Sequence, residues 1–135
     1  LVEGCSTVLV DLPGHRLLVP DRVAGDPQRD VARAVLAART DLLLVTGQDV
    51  LGVAAALTVR AAVGPGGAGL VLRARRRARV APLEAARVLD LPLLATLPTD
   101  RRLAEAVDRG LGPVLAPWSR LRRTVGRLSG VVGDG

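Results

Sequence analysis

Few residues of this 135-residue chain could do chemistry. There is one cysteine, Cys5, one histidine, His15, and no lysine at all. One thiol and one imidazole cannot build a disulfide framework or a typical zinc site. A Ser-His-Asp triad would have to run through His15, and no nucleophile-elbow sequence accompanies it. Without lysine there is no G-x-x-x-x-G-K-[ST], so this chain alone lacks the usual phosphate cradle of a nucleotide hydrolase. Cys5 reads most simply as a small semi-apolar filler and His15 as an exposed loop residue. A reducing, cytosolic compartment is the expectation from this cysteine usage.

Asp11 is the most informative carboxylate. It follows Thr7-Val8-Leu9-Val10, a continuous aliphatic run that reads as a strand buried on both faces, and it precedes Leu12-Pro13-Gly14. A carboxylate at the C-terminal end of such a strand sits where open α/β sheets bind ligands, and in nucleotide hydrolases it holds magnesium. The alternative is an aspartate that ends a strand and caps a turn. Gly64-Pro65-Gly66-Gly67-Ala68-Gly69 satisfies G-x-G-x-x-G. A dinucleotide site needs those glycines after a strand and before a helix. Here the pattern follows a helix and enters a strand, so it reads as a connecting loop.

Two arginine clusters follow: Arg73, Arg75, Arg76, Arg77 and Arg79, then Arg120, Arg122, Arg123 and Arg127. The first could meet nucleic-acid phosphates, acidic lipid or an acidic partner, or be a solvated loop. Around the second, Trp118, Leu121, Val125, Leu128 and Val132 fall at helical spacing with the arginines off that line. Such a helix can lie on an anionic membrane surface or pack its apolar stripe on the core.

The elements that must position these groups alternate. Helices are expected over Pro27–Ala38, with Asp26 before Pro27 as N-cap, over Val50–Val63 behind Asp49, and over Pro82–Leu89. Another runs from Thr99 or Asp100 through Val107 to Gly110, and the last from about Pro117 to Leu128. Strands are expected at Thr7–Val10, Leu42–Thr46, Leu70–Leu72 and Leu91–Leu97. This order predicts an α/β domain with a parallel sheet, right-handed crossovers and flanking helices.

Composition sets the outer limits. The chain is 49% hydrophobic, so it can build a core, and its only aromatic residue is Trp118, which leaves no stacking platform for single-stranded bases. No apolar run approaches the ~18 residues of a membrane span, and no signal peptide is visible. The net charge of +6 is carried by arginine alone and belongs to residues 61–135. Arginine, alanine, glycine and proline have GC-rich codons, so the bias reads first as a high-GC bacterial genome. The missing initiator methionine and the immediate start into a strand suggest a piece of something longer.

Taken in order, these segments resemble a family. Val8-Leu9-Val10-Asp11-Leu12-Pro13 is similar to the Walker-B strand of MinD/ParA-type P-loop ATPases. Thr40-Asp41-Leu42-Leu43-Leu44-Val45-Thr46, then Gln48-Asp49-Val50, looks like their next strand and helix entry. Leu70-Val71-Leu72-Arg73 stands where they have a strand ending in Asn-Arg. The run from Leu89 to Asp100, with Pro92 and Pro98, resembles their final strand, and Ala106-Val107-Asp108-Arg109-Gly110 the helix end that follows. The resemblance spans Thr7 to about Leu128. Within the superfamily it points to actinobacterial CpaE/TadZ-like, septum-site-determining proteins.

The resemblance implies a P-loop NTPase fold lacking its N-terminal P-loop half. Residues 1–116 would be the C-terminal part of the α/β domain and residues 117–135 a basic amphipathic helix and tail. Asp11 would be the magnesium-side carboxylate, and Arg73, Pro98 and Asp100 would be the other remnants of a nucleotide site. Arg73 replaces the base-recognising asparagine, which puts adenine recognition in doubt. Trp118, Leu121, Arg122, Arg123 and Val125 would form a membrane or partner surface, where MinD carries its membrane-targeting helix. The implied role is positioning of the septum site or of a Tad/Flp pilus and secretion apparatus, through self-association or contact with that machinery. The place is cytoplasmic, with peripheral contact to the inner membrane. No cofactor is expected on this chain, while ATP and magnesium belong to a full-length protein with an upstream P-loop. Two alternatives stand beside this reading: an active ATPase once joined to that half, and a ParA-like nonspecific DNA binder.

Overall fold

The computed structural model describes residues 8–12, 27–38, 41–64, 67–75, 77–113 and 116–133. In chain order its elements are α1 (Pro27–Ala38), β1 (Leu43–Gly47), α2 (Val50–Val63), β2 (Gly69–Arg73), α3 (Pro82–Leu89), β3 (Leu93–Leu97), α4 (Arg101–Asp108) and α5 (Arg120–Gly133). The strands form one three-stranded parallel sheet in the order β1-β2-β3. The chain is therefore α/β, with helices joining parallel strands, as alternating strand and helix patterns require.

The middle strand shows why the sheet forms. Gly69-Leu70-Val71-Leu72 has no polar alternation, and all four residues are buried, as expected of a strand covered on both faces. Leu70 and Leu72 face one helical layer. Val53 and Ala56 of α2, three residues apart, meet them together with Ala85 and Leu89 of α3, four apart. Leu44, Leu91 and Leu93 complete that core.

One glycine is required by close approach, and a second leaves room for a neighbouring side chain. A Cβ on Gly52 would lie 2.5 Å from the Gly47 carbonyl oxygen, so only glycine lets α2 start so near the end of β1. A Cβ on Gly69 would overlap the flexible end of the Leu94 side chain, which occupies that space. The helix ends are set by short polar side chains. Asp49 Oδ1 accepts the Gly52 N–H at 2.8 Å to open α2. Gly64, at φ 82°, closes it, with the Arg60 guanidinium donating to the Gly64 carbonyl. After α3, Asp90 takes the left-handed conformation at φ 51°, which short polar side chains tolerate, and turns the chain into β3.

The structure departs from the sequence expectation in three places. Val8–Val10 is not a buried strand: these residues are exposed, Leu9 at 82%, and lie outside the sheet. An aliphatic strand buried on both faces needs a neighbouring strand and covering helices. None of the described elements supplies them. The third sheet strand starts at Leu93 rather than Leu91, because Pro92 has no N–H for the ladder. Its carbonyl still serves, accepting the Leu70 N–H at 2.8 Å. The last helix starts at Arg120, not Pro117, because the Ser119 hydroxyl caps it by accepting the Arg122 N–H at 3.0 Å. It also continues past Leu128 to Gly133. The Gly-rich stretch does run from the end of α2 into β2, as its context suggested.

Candidate functional site

The carboxyl ends of parallel strands are where open α/β sheets place their ligands. Here Gly47, Arg73 and Leu97 stand side by side at those ends. The loops that leave them are fastened to one another. The Gln48 N–H donates to the Arg73 carbonyl at 3.0 Å, and the Ala74 N–H to the Leu97 carbonyl at 2.8 Å. The Thr99 hydroxyl donates to the Ala74 carbonyl at 2.8 Å. Gln48, the buried polar residue of the described set, donates from Nε2 to the Val80 carbonyl at 3.0 Å, which ties the arginine-rich loop to the end of β1.

These ties frame a crevice of about 320 Å³ lined by Gly47, Arg73, Ala74, Arg75 and Thr99. Arg75 Nε lies 2.9 Å from Asp49 Oδ2. Asp49 therefore does two jobs, since its other oxygen caps α2. Arg73 has no acidic partner among the described residues. The Thr99 proton is committed to a backbone carbonyl, so this hydroxyl braces the loop rather than meeting a ligand. What the crevice offers a visitor is guanidinium.

Of the residues singled out in sequence, Arg73 lines the crevice, and Pro98 and Asp100 sit on the loop that borders it. Asp100 caps α4: its Oδ1 accepts the Arg102 and Leu103 N–H groups at 3.0 and 3.3 Å. Asp11 is exposed on the segment outside the sheet, so no described strand end presents it to the crevice. Among the described residues, Asp11 is not brought to the crevice with Arg73. Among the described residues no group of His, Cys, Asp and Glu is placed to hold a metal ion. Cys5, His15, Arg76 and Val132 lie outside the described residues or their described side chains.

The sequence places Arg75 in the first arginine cluster but does not show its pairing with Asp49, the second role of Asp49, or the part played by Gly47. The signal for Asp49 was its capping position. Nothing in the spacing showed that its free oxygen would reach across to the loop after β2.

The C-terminal helix divides its predicted surface. α5 packs on β3 and Leu121, 8% exposed, is its anchor, so Leu121 leaves the proposed membrane or partner surface. Trp118, 74% exposed, stays on it with Val125, Arg122 and Arg123. No helix among the described residues is long and apolar enough to cross a membrane. No family model, curated protein or solved structure matches the chain.

Proposed function

We propose that this chain is the C-terminal part of a MinD/ParA-like, CpaE/TadZ-like positioning protein that acts by binding and localisation. Its partners are further copies of itself and the septum-site or Tad/Flp pilus and secretion machinery, in the cytoplasm at the inner membrane. ATP and magnesium enter only through an upstream P-loop half, because this chain has no lysine to supply the cradle.

One observation carries the reading: among the described residues nothing covers the outer flank of β1. β1 has a neighbour on one side only. Val45 is 54% exposed in the middle of that strand. α2 is apolar all round apart from Thr58 and Arg60, yet it leaves Val50, Leu51 and Leu57 exposed. Helices of that composition are normally buried, and parallel sheets normally continue until both faces are covered. A sheet that extends past β1 would cover this flank. The ordered motifs call for that arrangement.

The test is a fluorescent fusion of the protein in an actinobacterium that assembles Tad/Flp pili. The expected result is a focus at the septum or the pilus site. Fluorescence spread evenly through the cytosol or over the nucleoid contradicts it.

A further inference from the structure

We propose that the crevice at the carboxyl ends of β1 and β2 binds a phosphate-bearing small anion through Arg73 and Arg75, without lysine or metal. The inference goes beyond the positioning role and does not depend on it, because it rests on the crevice alone.

Three observations converge. The first is charge. Two arginines, Arg73 and Arg75, line the crevice, and the carboxylate of Asp49 meets Arg75 beside it. Asp100, the acid nearest in sequence on the bordering loop, is turned to the N–H groups of α4. The second is orientation. Arg75 spends Nε on Asp49, which fixes the plane of the guanidinium and leaves its two terminal nitrogens to form the paired, parallel bonds that phosphate oxygens accept. Gly47 makes room for that pair, since a Cβ there would lie 3.0 Å from Asp49 Oδ2 and 3.6 Å from Arg75 Nε.

The third is rigidity. The loop carrying Arg75 is held at Ala74 by Leu97 and Thr99, at Val80 by Gln48, and internally by the Ala78 N–H donating to the Arg75 carbonyl at 3.1 Å. A charged loop needed only for solubility has no use for four separate ties. A loop that must hold one arginine beside another has, because preorganisation lowers the entropy lost on binding.

The ligand class follows from what is present and what is lacking. The neighbouring backbone N–H groups of Gln48 and Ala74 are already bonded, so recognition falls to side-chain cations. Two guanidinium groups suit a dianion better than a monoanion. Asp49 is the positioning residue and touches no ligand in this scheme.

Amide chemical shifts of the chain titrated with pyrophosphate, inorganic phosphate, AMP and a duplex DNA provide the test. Pyrophosphate is expected to shift the amides of Gly47, Ala74, Arg75 and Thr99 saturably, with a dissociation constant of about 1 mM or tighter. Comparable affinities for phosphate and AMP mark the phosphate alone as recognised, whereas tighter AMP binding marks a nucleotide. Both support the site. R73A and R75A should each weaken pyrophosphate at least ~10-fold while keeping the wild-type spectrum, because both side chains are exposed and removable. R127A, on α5, should change nothing. Pyrophosphate shifts that never saturate would overturn the proposal. Equal weakening by R127A would reduce the effect to general charge, and also overturns it. Shifts seen only with DNA, centred on Arg120–Arg127, would replace it with a nucleic-acid surface.

Discussion

The two flanks of the sheet are built from similar residues and end in different states. On the β2–β3 side, Leu70, Val71 and Leu72 are essentially inaccessible, and α3 and α5 both pack on β3. On the β1 side, α2 packs on the strand, and aliphatic side chains of both, Val45, Val50, Leu51 and Leu57, are exposed. Composition does not distinguish them: Leu43-Leu44-Val45 and Leu70-Val71-Leu72 are near copies. The difference is in neighbours. Among the described residues, β2 has a strand on each side and β1 has one. Burial is thus a property of topology, which the same aliphatic triplet meets in one place and lacks in the other.

The largest effect should come from the closed flank. Leu72→Ala removes a fully buried side chain from the cluster with Val53 and Leu89 and should cost about 3–4 kcal/mol in urea unfolding. Val45→Ala, at the β1 position that pairs with Val71, should cost less than ~1 kcal/mol because the side chain is 54% exposed. Equal losses would break the comparison. Next is Gly52→Ala, which should cost about 1–3 kcal/mol, because the clash is with Gly47 backbone and neither element can step aside. Gly69→Ala should cost less, since the group it meets is the flexible end of Leu94.

Cap removal comes third. Ser119→Ala and Asp100→Ala should each lose about 1 kcal/mol, and helix melting followed by circular dichroism should register it. The smallest effect is expected for Leu51→Gln. At 82% exposure on α2, the change should leave stability within about 0.5 kcal/mol of wild type. A large loss there would mean that the outer face of α2 is already covered by its own chain.

Much of the fold was legible in sequence because its punctuation is chemical. Asp49, Pro82, Gly110 and Asp100 mark helix ends by hydrogen-bonding and backbone preferences that act locally. The bounds of Pro27–Ala38, Val50–Val63 and Pro82–Leu89 follow from such signals and from apolar spacing. The first strand was misread because an aliphatic run states that a segment is able to be buried. Whether it is buried depends on a neighbour elsewhere. Ser119 was passed over in favour of Pro117, since both signal a helix start and only the hydroxyl makes the bond.

At the crevice, Arg73 and the Pro98–Asp100 loop were legible as strand ends. The Arg75–Asp49 pair was not, because it joins residues 26 positions apart across two loops. Asp100 is readable as a cap, and its Oδ1 makes that cap on α4.

Native-state hydrogen exchange of the chain tests most directly whether the fold closes on β2 and stays open at β1. The amides of Leu70–Leu72 should exchange only by global unfolding, matching the urea-derived stability. Those of Leu43–Val45 and of the outer face of α2 should exchange by cheaper local opening, at least ~10-fold faster, or about 1.4 kcal/mol. Protection of β1 equal to that of β2 would contradict the account, because a strand as protected as the buried centre of the sheet is not waiting for a neighbour.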